Sequence, residues 1–228
     1  MRTLEILEKI KTKPIFRVQD IERVASCDRK YAKLILSRLK KIKLIKRVTK
    51  NVYTTKDNIF VVASNITYPS YISFWSASYF LGYTEQIVNM IQIATTRRIR
   101  PVEFEGYKIE FVNMKHFFGY KKIETNEGEM FIVEDEKLLI DAFLKPEKCG
   151  NFDEIEKMFT GANISKDKIV SYLKKTGTQS ITKRVGFLLE KTKGIDVSES
   201  FKLDRNYVIL NPFLKKWKMV DAKWRIKI

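Results

Sequence analysis

Cysteine and histidine are nearly absent: Cys27, Cys149 and His116 are the whole supply in 228 residues. That is too little for a disulfide framework or a four-ligand zinc site. The nine glycines are scattered and form neither a GxxxxGK nor a GxGxxG phosphate cradle. No apolar run approaches the roughly 20 residues that span a bilayer, and the N-terminus lacks an apolar signal segment. A cytoplasmic protein with no metal, cofactor or membrane partner is expected. His116, in Lys115-His116-Phe117-Phe118, has no sequence-evident acid or nucleophile beside it, so packing among aromatics is the better reading. Glu134-Asp135-Glu136-Lys137 has the outline of an acidic-x-Lys nuclease motif, in which carboxylates hold magnesium. Three acids at a helix start also complement the macrodipole, with Lys137 continuing the helix, and this reading is stronger. No catalytic residue is assigned, and the chain does not read as an enzyme.

Acidic residues are scarce at one end only. Residues 1–56 carry 17 Lys or Arg against 5 Asp or Glu, a net of +12, whereas residues 57–228 carry 27 against 22, a net of +5. A basic N-terminal module on a nearly neutral body suits a polyanion, with nucleic acid the first candidate. From Arg29 to Lys50 ten of 22 residues are basic and none is acidic. Ala32, Ile35, Leu36, Leu39 and Ile42 step by helical intervals, filling an arc about 120° wide at about 100° per residue. Arg29, Lys30, Lys33, Ser37, Lys40 and Lys41 take the other side.

The flanking pattern predicts a winged helix-turn-helix. Leu4, Leu7 and Ile10 form a first helix closed by Pro14, and Val18, Ile21, Val24 and Ala25 a second. Asp28 caps the basic third helix, which runs to about Lys43, with Ser26 as a competing cap. Leu44–Val48 and Val52–Thr55 around Lys50-Asn51 make the wing. In such a module the third helix enters the major groove. Arg29, Lys30 and Lys33 then meet base edges, with Ser37 and Lys40 further along, and Arg29 is suited to guanine O6 and N7. Lys46, Arg47, Lys50 and Asn51 of the wing bind phosphate or enter the minor groove. A protein-contact surface and a solvated basic face are the rival readings.

Residues 58–228 read as a mixed α/β domain, giving an α+β chain divided at 57/58. Helices are expected at Ser73–Leu81 (stopped by Gly82), Glu134–Phe143, Asp153–Phe159, Ser165–Lys175 and Gln179–Lys191, and over 57–68 helix is favoured with strand as the alternative. Strands are expected at Val88–Thr95, Val102–Phe104, Tyr107–Val112, Met130–Val133, Tyr207–Leu210 and Trp224–Ile228. The aromatics Phe74, Trp75, Tyr79, Phe80 and Tyr83 read as core. Two further basic clusters, Arg97-Arg98-Ile99-Arg100 and Lys215, Lys216, Lys218, Lys223, Arg225 and Lys227, either extend a nucleic-acid footprint or guard sheet edges.

The body also carries ordered motifs. Tyr71–Gln86 resembles the "Y-I-S-x-x-S-A-L-x-x-x-G-L" segment of the AbiEi-like antitoxins of type IV toxin–antitoxin systems. Ile93-Ala94-Thr95 is similar to their "V-A-T" strand and Glu134–Asp141 to their "D-P-E-K-A-L-x-D" helix. Lys183–Glu190 resembles "K-R-L-G-Y-L-L-E", and Val220–Ile228 the closing "W-R-L" strand. The chain departs by having no proline in Glu134-Asp135-Glu136 and by Ser78 in place of Leu. The resemblance implies an N-terminal winged helix on a promoter inverted repeat, two copies per site, as an autorepressor. It implies a C-terminal domain opposing a nucleotidyltransferase-like toxin, with Arg97, Arg98 and Arg100 as a second basic surface. The alternatives are a stand-alone regulator without a toxin and a protein-interaction adaptor.

Overall fold

Apolar side chains at helical spacing shape the opening of the chain, whose computed structural model describes residues 3–228. Helix α1 (Thr3–Ile10) buries Ile6 and Ile10, and strand β1 (Phe16–Arg17) leads into α2 (Val18–Ala25), which buries Val18 and Ile21. After a turn through Ser26, α3 (Arg29–Lys41) buries Ala32, Ile35, Leu36 and Leu39. These residues, with Phe16 and Ile45, form one apolar cluster. Strands β2 (Lys46–Thr49) and β3 (Val52–Thr54) pair antiparallel, and β1 adds to β3 through Phe16 opposite Tyr53, giving the order β1-β3-β2. This is a winged helix-turn-helix.

Two apolar positions depart from the pattern. Leu4 is 61% exposed and Ile42 is 59% exposed. Ile42 is the C-cap of α3, and beyond it the Lys43 and Leu44 N–H groups donate back to the Lys40 and Leu39 carbonyls. That closure ends the helix two residues before the expected point and turns Ile42 outward.

The compact unit that holds this module comprises residues up to Ile72 with Asn89–Lys115 and Lys121–Ile132. The N–H groups of Asp57 and Asn58 both donate to Glu127 Oε2, at 2.6 and 2.9 Å, and Arg17 Nη2 donates to the Ile66 carbonyl at 2.7 Å. Asn58 caps α4 (Ile59–Asn65). A six-stranded mixed sheet follows, built from β4 (Ser70–Ile72), β5 (Met90–Thr95), β6 (Val102–Phe104), β7 (Tyr107–Asn113), β8 (Tyr120–Thr125) and β9 (Gly128–Val133). Its order is β6-β7-β5-β4-β9-β8, with β5 parallel to β7 and β4 parallel to β9.

The second unit, Ser73–Val88, His116–Tyr120 and Val133–Ile228, is mainly helical. It comprises α5 (Phe74–Phe80), α6 (Asp135–Leu144), α7 (Phe152–Gly161), α8 (Lys166–Thr176) and α9 (Gln179–Lys193). A small sheet closes the chain, β10 (Val208–Ile209), β11 (Val220–Asp221) and β12 (Ile226–Lys227), in the order β10-β12-β11. Among the described residues, no helix is long and apolar enough to cross a membrane.

Two buried lysines organise this unit. Lys137, fully buried on α6, pairs with Asp141, whose second oxygen accepts from Ser73 Oγ at 2.9 Å. Lys137 therefore does more than continue the helix, and its burial separates it from the nuclease outline. Asp135 is likewise engaged, accepting from Tyr83 Oη at 2.7 Å and from the Asn163 N–H at 3.2 Å. On α9, fully buried Lys183 donates to Asp204 Oδ1 and the Asn206 carbonyl, both at 2.5 Å. One turn on, a Cβ at Gly186 would overlap the buried Trp224 ring. Glu190 accepts from Trp224 Nε1 and from Lys223 Nζ, each at 2.6 Å, and Lys223 also reaches Asp196 at 2.8 Å.

Gly186→Ala is expected to cost about 1–3 kcal/mol through overpacking, read as a lower urea midpoint. Combining it with Trp224→Leu should recover part of that loss. Lys223, followed by the Ser198 N–H, holds the Asp196 carboxyl down to about 2, below its ordinary 3.8. The unfolded chain then binds more protons there, so this contribution is complete above about pH 4 and is lost as pH falls toward 2. Indole fluorescence of a Trp217→Phe protein should change across that window, and Asp196→Asn should flatten the change.

Candidate nucleic-acid interface

Helix α3 begins where the Asp28 side chain accepts the Tyr31 N–H at 2.7 Å, satisfying one orphan donor of the first turn. At about 100° per residue, the buried side sets the opposite one. Lys30, Leu34, Ser37 and Lys41 run along its middle, with Arg29, Lys33 and Lys40 on one flank and Tyr31 and Arg38 on the other, all exposed. Among the described residues Lys30, Lys33 and Lys40 form no ion pair, and Arg29 lies 3.7 Å from Glu22. The face thus presents cations and N–H donors with little internal neutralisation.

Two residues here were not anticipated. Tyr31 is 48% and Leu34 43% exposed, although apolar side chains on a helix are ordinarily taken for core. The available signal was their position outside the 3-1-3 spacing of the buried set. With Asp28, Lys30 and Lys33 they line a shallow groove along the first turns of α3.

The wing residues fall into two groups. Arg47 and Lys50 are exposed, Arg47 Nε donating to the Thr49 carbonyl at 3.3 Å, and Asn51 occupies the turn at φ +61°, a conformation asparagine tolerates. Lys46 is half-buried at the wing's root, its Nζ 2.6 Å from Asp57 and 3.1 Å from Glu105 on the β6–β7 turn. The hydrogen bond to Asp57, with Glu105 adding, pushes the Lys46 pKa above its ordinary value.

Arg97, Arg98 and Arg100 are exposed just after β5 in the same unit as α3. In the C-terminal cluster, Lys223 is bound to carboxylates, and Arg225 Nη1 donates to the Leu203 carbonyl at 3.0 Å and to that of Asp204. Lys215, Lys216 and Lys218 are exposed.

Removing the α3 cap by Asp28→Ala is expected to cost about 1 kcal/mol, measured as a lower thermal midpoint, with Asp28→Asn or Asp28→Ser close to the parent.

Residues 5–56, from α1 through β3, match the family model described as "Transcriptional regulator, AbiEi antitoxin". No curated protein matches the chain. The body motifs lie outside the matched segment. Over its winged helix-turn-helix, this chain is thus similar to the AbiEi antitoxin transcriptional regulators.

Proposed function

We propose that this protein is a cytoplasmic, sequence-specific repressor that binds an inverted repeat in its own promoter with two copies and opposes a nucleotidyltransferase-like toxin. The reading is carried by one observation: the segment matching the antitoxin-regulator family presents, on α3, a continuous exposed face of cations with its opposite side sealed into the core. Residues 1–57 are the DNA-binding module and residues 58–228 the antitoxin domain, to which Arg97, Arg98 and Arg100 contribute a second basic surface.

In the major groove, Lys30, Ser37 and Lys41 face the bases directly. Arg29 and Lys33 reach one groove wall, where Arg29 pairs with guanine, and Lys40 meets phosphate. Arg47, Lys50 and Asn51 meet the flanking backbone or minor groove, while Lys46 holds the wing by its root. Leu34 supports a base preference: an exposed aliphatic side chain at the middle of the face gains by meeting a thymine C5-methyl group.

Fluorescence anisotropy with the upstream promoter duplex tests this reading. Arg29→Ala and Lys33→Ala should each cost about 1–3 kcal/mol of binding and relax base preference. The log–log salt slope should be steep, roughly −0.9 per phosphate neutralised. Replacing operator thymines by uracil should weaken the parent protein but not Leu34→Ala. Parent-like binding by the Arg29 and Lys33 variants would remove the recognition-helix assignment. For the antitoxin half, co-expression with the neighbouring gene's product should be toxic unless the full chain is present, and the absence of a nucleotidyltransferase there would favour the lone regulator.

A further inference from the structure

The surplus positive charge of the body is not spread through it. Residues 57–206 carry 21 Lys or Arg and 21 Asp or Glu, whereas residues 207–228 carry six against the single Asp221. The whole +5 of the body therefore sits in its last 22 residues. Exposed apolar surface gathers in the same stretch. Among the described residues, seven of the fifteen exposed large apolar side chains belong to it, including Phe213 at 46%, Trp217 at 46% and Met219 at 65%. Between these side chains stand Lys215, Lys216 and Lys218, all exposed and, among the described residues, outside any ion pair. The segment is held in place: the Lys218 and Met219 N–H groups donate to the Ile228 carbonyl at 2.7 and 3.1 Å, and Lys227 Nζ lies 3.9 Å from the Trp217 ring centroid.

Lysines alone would serve to guard the β11 edge against pairing. Edge protection gives no reason to expose a tryptophan, a phenylalanine and a methionine beside them. Charge selects an anionic partner, and the rings select one that offers flat apolar faces at the spacing of its charges. A duplex keeps its bases stacked and would leave these side chains uncovered, whereas a single strand presents both its phosphates and its unstacked bases. We propose that residues 213–227 form a second nucleic-acid site, taking single-stranded DNA or RNA, in which a base stacks on Trp217 and Lys215, Lys216 and Lys218 follow the backbone. The site belongs to the second unit and the duplex-reading face of α3 to the first.

The test uses the full chain and a labelled oligothymidylate of about 16 nucleotides, the upper end of single-strand site sizes. Salt-sensitive binding is expected. Trp217→Ala should weaken it about 5- to 100-fold, with Trp217→Phe near the parent. Replacing Lys215, Lys216 and Lys218 together by alanine should flatten the salt slope by about 2. Arg29→Ala/Lys33→Ala should leave it within about twofold while abolishing promoter duplex binding, so failure of either site is read separately. An oligouridylate in parallel separates the DNA and RNA sources. No oligothymidylate or oligouridylate binding at low salt, parent affinity in Trp217→Ala, or loss through the α3 variant would overturn the proposal. Trp217-dependent binding of polyglutamate or of phosphatidylserine vesicles in place of the oligonucleotides would overturn it too.

Discussion

A lysine ammonium taken out of water must be given anionic or carbonyl partners, because a buried unpaired charge costs several kcal/mol. Much of the second unit depends on how that constraint is met. Lys137 is fully buried and answered by Asp141, which also receives the Ser73 hydroxyl that opens α5. Lys183 is answered by Asp204 and the carbonyl of Asn206, so the extended chain before β10 is folded around its ammonium. The two ends of the unit are thereby fixed to helices α6 and α9. A pair of this kind adds little net stability against an apolar replacement, but it penalises every arrangement that leaves one partner alone.

The ordered motifs of the body acquire a physical meaning from this. The serine of Tyr71-Ile72-Ser73 and the lysine and aspartate of Glu134–Asp141 belong to one buried network. Lys183, Gly186 and Glu190 line up along α9 to receive the Asp204 loop, the Trp224 ring and the Trp224 indole N–H. These motifs hold the fold, and most of the exposed groups suited to a partner lie outside them, on α3, after β5 and between Phe213 and Met219.

Long elements with a regular apolar period were legible in the sequence: α3, α6 and α9 fall within two residues of the expected spans. The wing, read from two short apolar runs about Lys50-Asn51, was legible for the same reason. Strands β1, β4 and β8 were not, because two or three residues are too few to display a period and β8, with Lys121, Lys122 and Glu124 among its six residues, buries no side chain. The roles of Lys137 and Lys183 were hidden as well, since burial of a lysine runs against its ordinary preference and is decided by partners distant in sequence, such as Ser73 and Asp204. On the candidate interface, the basic residues were visible through charge, while Leu34 was hidden by its apolarity. That Lys46 of the wing is tied down rests on Asp57 and on Glu105, the latter 59 positions away.

The ion pairs at Lys46 also bear on dynamics. With its root clamped to Asp57 and to the β6–β7 turn, the wing is a short cantilever: stiff where it leaves the sheet and free only at Arg47, Lys50 and Asn51. A hairpin tied at its root by exposed ion pairs starts with less conformational freedom, so a ligand that meets it has less backbone to order. The clamp is itself electrostatic and partly exposed, so salt loosens the root from which the wing projects.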